Sequence, residues 1–114
     1  MPPMFATPGT SVPANNGIFH GSSGNFIWEN SHGAHGQATV TYWRLKVGRA
    51  QNSWDIYPGL GNPFVVIGNS GGNLNNDPNV HGLPCDNNWY WVCPEYSTNQ
   101  IDWSPGAWTR FKST

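Results

Sequence analysis

Six carboxylates, Glu29, Asp55, Asp77, Asp86, Glu95 and Asp102, are the groups of this chain best suited to moving protons, and they stand singly in turns and at strand ends. Acid–base and nucleophilic catalysis need such groups paired, set beside a nucleophile or bound to a metal. A lone Asp in an Asn- and Gly-rich string has a simpler use, hydrogen-bonding the backbone of a turn. His32-Gly33-Ala34-His35 sets two imidazoles three apart, a spacing that chelates a metal on a helix, but the flanking glycines make this stretch a loop. Asn73, Asn75, Asn76 and Asp77 share the composition of a calcium loop and lack its carboxylates. The expectation is a chain that is not an enzyme, with no catalytic residue, no metal ligand and no cofactor.

Cations and tryptophans remain. Four of the five basic residues, Arg44, Lys46, Arg110 and Lys112, alternate with apolar neighbours. If Trp43, Leu45 and Phe111 point inward, these four point outward and form a basic stripe on one sheet, flanking an outward Tyr90 and Val92. That stripe reads either as a docking face for an acidic or polar partner or as an ordinary solvated face. Of seven Trp, Trp28, Trp43 and Trp91 are assigned to the core. Of the other four, Trp54, Trp103 and Trp108 are the candidates to stack on sugar rings or to anchor a protein interface, where Trp is enriched.

These residues must be carried by strands. With 14 Gly and 10 Pro in 114 residues, no eleven-residue window sustains a helical period, whereas several short windows alternate or are β-rich. Phe5 to Val12, with Pro8, reads as an edge strand, and Asn15-Asn16-Gly17 as a turn. Asn25 to Asn30 puts Phe26 and Trp28 on one face. Ala38 to Val47 is the clearest strand, with Thr41, Trp43, Leu45 and Val47 on one side. Gly48 to Ser53 then turns the chain back into Trp54 to Tyr57. After the apolar run Phe64 to Ile67, Gly68 to Asn79 reads as a polar connection. Val80 to Leu83, Trp89 to Cys93 and Trp108 to Lys112 complete the strands. No repeat of fixed period appears, so propellers and solenoids are disfavoured.

Length fits one domain over residues 1–114. Charged residues are 10% of the chain, against roughly 25% in average soluble proteins, and the formal net charge is −1. Nucleic acid and anionic membranes attract clustered Lys and Arg in excess, so neither is an expected partner. Met1-Pro2-Pro3-Met4-Phe5 lacks the basic and apolar regions of a secretory signal, and from Met1 the Sec route is not expected. If residues between Cys85 and Cys93 run as a strand, ~3.3 Å per residue separates them by more than about 20 Å, which favours two free thiols. A tight turn at Asp86-Asn87-Asn88 would instead bring them together.

The order Phe26-Ile27-Trp28, Tyr42-Trp43-Arg44-Leu45-Lys46-Val47-Gly48, Trp54-Asp55-Ile56-Tyr57, Gly82-Leu83-Pro84 and a final aromatic strand resembles bacterial and phage-borne immunoglobulin-like modules of the fibronectin type III kind. The resemblance implies an antiparallel β-sandwich of about seven strands, with A at Phe5 to Val12, B at Phe26 to Trp28, C at Thr41 to Val47 and C′ at Trp54 to Tyr57. Strands E, F and G would be Val80 to Leu83, Trp89 to Cys93 and Trp108 to Lys112, with a tyrosine corner on Tyr90 or its place taken by Trp91. This architecture hosts adhesion, spacing, carbohydrate binding and virion decoration. The expected role is a non-enzymatic surface module: a virion decoration or attachment protein meeting copies of itself or capsid or tail proteins, with Pro2 to Phe5 and Lys112 to Thr114 touching neighbours. The alternative is a carbohydrate-binding or spacer module of a larger secreted bacterial protein, at the cell surface or outside the cell.

Overall fold

The computed structural model describes residues 9–22, 24–29, 42–68, 75–76 and 83–114. Among them no helix forms, as the glycine and proline spacing requires. Nine strands appear: β1 (Thr10–Val12), β2 (Gly17–Phe19), β3 (Ile27–Glu29), β4 (Tyr42–Gly48), β5 (Ile67–Gly68), β6 (Asn75–Asn76), β7 (Trp89–Ser97), β8 (Ser104–Pro105) and β9 (Thr109–Ser113). A small antiparallel sheet has the order β1-β3-β6, and a larger mixed sheet has the order β2-β9-β7-β4-β5, with β8 attached to β7.

The larger sheet is organised by β4 and β7, which pair antiparallel from Tyr42 opposite Ser97 to Gly48 opposite Trp91. Successive side chains of a strand point to opposite faces. Trp43, Leu45 and Val47 are therefore buried while Tyr42, Arg44 and Lys46 are half-buried on the other face. The same alternation in β9 buries Thr109, Phe111 and Ser113 and leaves Arg110 and Lys112 half-buried. At the end of β4 the turn backbone lies so close to Gly48 that a Cβ there would meet the carbonyl of Ser53, so the turn needs a residue without a side chain.

The core is aromatic. Phe26 stacks on Phe19 with centroids 4.5 Å apart, and both meet the edge of Phe111 at 5.6 Å. Trp28 of the small sheet meets Trp43 of the larger one at 5.9 Å. The indole N–H groups of Trp28 and Trp43 are buried and have no hydrogen-bond partner among the described residues.

Several expectations are corrected. The larger sheet is mixed, not antiparallel throughout, because β2 runs parallel to β9, with Gly17, Ile18 and Phe19 opposite Phe111, Lys112 and Ser113. Asn16, at a φ of 62°, makes the turn expected at Asn15 to Gly17 and donates its N–H to the carbonyl of Arg110, which starts this pairing. Trp54 to Tyr57 forms no strand. The Asp55 carboxylate accepts bonds from the Arg49 N–H and the Ser53 hydroxyl, curling the return into turns that bridge to β4 at Val47 and Tyr57 without pairing as a strand. The neighbour of β4 is instead β5, the end of the apolar run. Asn75 and Asn76, read as part of a polar connection, pair with β3.

Tyr90 and Val92, expected outside, are fully buried, and Trp91, expected in the core, is half-buried on the outer face. Both parities of Trp89 to Cys93 are apolar, so alternation alone could not choose between them; pairing with β4 and β9 does. β7 runs on to Ser97, beyond the expected end at Cys93, and Trp108 precedes the last strand instead of belonging to it. Both cysteines are free, Cys85 exposed and Cys93 buried. The expectations for Pro2 to Pro8, His32, His35, Ala38 to Thr41, Asn73, Asp77 and Val80 to Gly82 lie outside the described residues.

Phe111 touches Phe19, Phe26 and Tyr90 at once, so Phe111→Ala should cost about 3–5 kcal/mol in urea unfolding. Ile101→Ala, at a side chain 79% exposed, should change stability by less than about 0.5 kcal/mol.

Candidate partner-binding face

The outer face of the larger sheet carries two cation–aromatic groups with different electrostatics. In the first, the register sets Arg44 opposite Glu95 and Lys46 opposite Cys93. Glu95 reaches both cations, with its Oε1 2.7 Å from Arg44 Nε and its Oε2 3.1 Å from Lys46 Nζ. Rings cover the cations: Arg44 lies 4.1 Å from the centroid of Phe64 and 4.3 Å from that of Trp103, and Lys46 lies 4.6 Å from that of Trp54. Strand β8, paired to β7 at Glu95 and Tyr96, follows directly on Trp103 and so fixes that ring's place. One shared carboxylate offsets one of the two positive charges, and three rings lie against both cations.

The second group sits where β7 meets β9. Trp89 is opposite Lys112 and Trp91 opposite Arg110. The Arg110 guanidinium lies 4.4 Å and the Lys112 ammonium 5.8 Å from the Trp89 ring centroid. Arg110 Nε donates to Asn16 Oδ1 at 2.9 Å. The ion pairs of the described residues join Arg44 and Lys46 to Glu95 and Arg49 to Asp55, so none reaches Arg110 or Lys112.

Beside Trp89 an open cleft of about 280 Å³ is lined by Arg49, Asp86, Asn88, Trp89 and Tyr90. The Tyr90 hydroxyl, at 2.9 and 2.8 Å from the two Asp86 oxygens, holds that carboxyl below its ordinary range. Burial first, and the bond to Asp86 second, push the Tyr90 phenol up to about 12. Burial likewise pushes the Cys93 thiol up to about 12. Burial works against the charge on Asp55, yet hydrogen bonds from Arg49 and Ser53 hold it below its ordinary value. Among the described residues no three His, Cys, Asp or Glu side chains gather as metal ligands do.

Of the residues singled out from the sequence, Arg44, Lys46, Arg110 and Lys112 share this face, and Trp54 and Trp103 stack on its cations. Trp108 stands half-buried just before β9 and joins neither group of rings. Sequence reasoning missed Phe64, Trp89 and Glu95. The last two lie on the same strand parity as Trp91, a signal that becomes readable once the outer parity of β7 is known. No family model, no curated protein and no solved structure matches this chain.

Glu95→Ala should destabilise the fold by roughly 3 kcal/mol, the low end for breaking a buried pair. Arg110→Ala, which loses a ring contact and no ion pair, should cost no more than about 1 kcal/mol in the same urea titration.

A phenol or thiol raised in the fold stabilises below its ordinary value and loses that contribution as pH rises toward the folded one; a lowered carboxyl stabilises above its ordinary value and loses it as pH falls through the folded one. The thermal midpoint should therefore decline between pH 9 and about 12. This alkaline decline should be shallower in Tyr90→Phe and in Cys93→Ala. An acid limb from Asp55 and Asp86 should lie below the ordinary carboxylate range.

Proposed function

We propose that this chain is a non-enzymatic, immunoglobulin-like β-sandwich module that presents the outer face of its larger sheet to a protein partner, as a decoration or attachment protein of a virion. The sandwich reading is supported by strand order: β4-β7-β9 follows the expected C-F-G and β1-β3 the expected A-B, with Trp28 and Trp43 in contact between the two sheets. The hydroxyl of Tyr90, second residue of β7, bonds four residues upstream as a tyrosine corner does, although to a carboxylate instead of backbone.

The observation that carries the partner reading is the segregation of charge. The outer face gathers four cations and the carboxylate of Glu95, while elsewhere among the described residues one cation, Arg49, stands with Asp55, Asp86 and Asp102. A second copy or an acidic coat subunit complements such a face, and complementarity of this kind steers association and sets orientation. Aromatic residues and arginine, the residue types enriched at interface centres, alternate across it. A charge content of 10% suits a subunit that buries much of its surface against neighbours. The sugar-stacking alternative loses support at Trp54 and Trp103, whose rings are half-buried against cations paired to Glu95.

The isolated protein should self-associate or bind capsid or tail shells in sedimentation velocity runs. That association should weaken by about tenfold or more between ~0.05 and ~0.5 M salt. Arg110→Glu combined with Lys112→Glu should abolish it while leaving the thermal midpoint within a few degrees. A stable monomer that ignores shells at both ionic strengths would overturn the reading.

A further inference from the structure

We infer that the cleft beside Trp89 is a binding site for an anionic saccharide, a pyranose ring bearing a carboxylate or a sulfate. Nothing in the protein-contact reading requires this site, and the sequence singled out other tryptophans for sugars.

Three observations carry it. Trp89 carries Arg110 and Lys112 and still stays 42% exposed, whereas Trp54 and Trp103 are only partly exposed and stack on cations that share Glu95. The exposed part of that ring offers apolar surface to the C–H groups of a sugar as it does to other apolar groups. Arg110 and Lys112 converge on that same ring and meet no carboxylate among the described residues, in contrast to Arg44 and Lys46. With Arg110 Nε engaged by Asn16, the terminal guanidinium nitrogens remain to grip a planar carboxylate or a sulfate from one side, with the Lys112 ammonium on the other.

The third observation is the cleft itself. At about 280 Å³ it falls just below the ~300–1,000 Å³ of sites for drug-sized ligands, a size suited to one sugar ring. Asp86 and Asn88 supply acceptors and donors for ring hydroxyls, and Arg49 closes the wall. Its floor is already assembled. Asn87 N–H bonds the carbonyl of Ser113, Ser113 N–H bonds that of Asn88, and Tyr90 grips Asp86, so ligand binding need not order the loop. Arg110 and Lys112 are not among the lining residues but share the Trp89 ring that is, so the anionic group belongs at those two cations, with the sugar ring on Trp89.

The test is calorimetric titration of the whole chain with trigalacturonate, a sulfated carrageenan-derived tetrasaccharide that has no carboxylate, cellotriose and hexaglutamate. One anionic saccharide should bind about tenfold tighter than cellotriose, and which one does identifies carboxylate or sulfate as the recognised group. Trp89→Ala, and Arg110→Gln with Lys112→Gln, should each weaken it by about tenfold at an unchanged thermal midpoint, while Trp89→Tyr retains it. No binding of either anionic saccharide at millimolar concentration overturns the site, as does equal binding of cellotriose or indifference to Trp89→Ala. Hexaglutamate binding as tightly as the saccharides would replace the sugar with an acidic protein segment. Because these titrations need no shell or second subunit, they fail or succeed separately from the protein-contact reading.

Discussion

The antiparallel ladder between β4 and β7 is the constraint on which both faces of the larger sheet depend. Arg44 opposite Glu95 and Val47 opposite Val92 are consequences of one register. Sliding β7 by a single residue would turn Tyr90 and Val92 outward and bring Trp89, Trp91 and Glu95 against the core. A carboxylate moved inward would then lose both cations that meet it, so the ion pairs on one face and the packing on the other specify the same alignment. β9 extends the alternation, with Phe111 directly opposite Tyr90 and Lys112 opposite Trp89.

That alignment explains why equal cations on one face have unequal chemistry. Glu95 is 7% exposed, and a carboxylate so far from water is costly unless paired. Arg44 and Lys46 meet that need, and Phe64, Trp54 and Trp103 cover the apolar parts of their side chains. Closure of this kind holds the loops of Phe64 and Trp103 onto the sheet. Arg110 and Lys112, one strand further on, lie against Trp89, Arg110 also donates to Asn16, and neither meets a carboxylate among the described residues. A basic stripe on paper thus divides into a brace and an open end, and the open end is where recognition is proposed.

Strand order bears on the architecture in the same bottom-up way. The parallel partnership of β2 with β9 gives Phe19 its place beside Phe26 and Phe111, which ties the start of the described chain to its last strand. Thr114 N–H bonds the carbonyl of Phe19 and Gly21 N–H bonds that of Thr114, extending the same tie. Asp86, held by Tyr90 and Asn88, fixes the loop that feeds β7.

Local chemistry alone determined the class of the fold. Glycine and proline spacing excluded helices, Asn15 to Gly17 turned as its residues prefer, and the contrast of Trp43, Leu45 and Val47 with Arg44 and Lys46 fixed which side of β4 is buried. The same contrast identified Arg110 and Lys112 as outward. Where both parities were apolar, as in Trp89 to Cys93, the sequence held no preference, and partners in β4 and β9 decided. Glu95 acquired its role from residues about fifty positions away, and β2 its parallel neighbour from the far end of the chain. Alternation is written into neighbouring residues, but which strand lies alongside which is settled only when distant side chains compete for one core. For that reason the cations were legible and the open tryptophan between them was not.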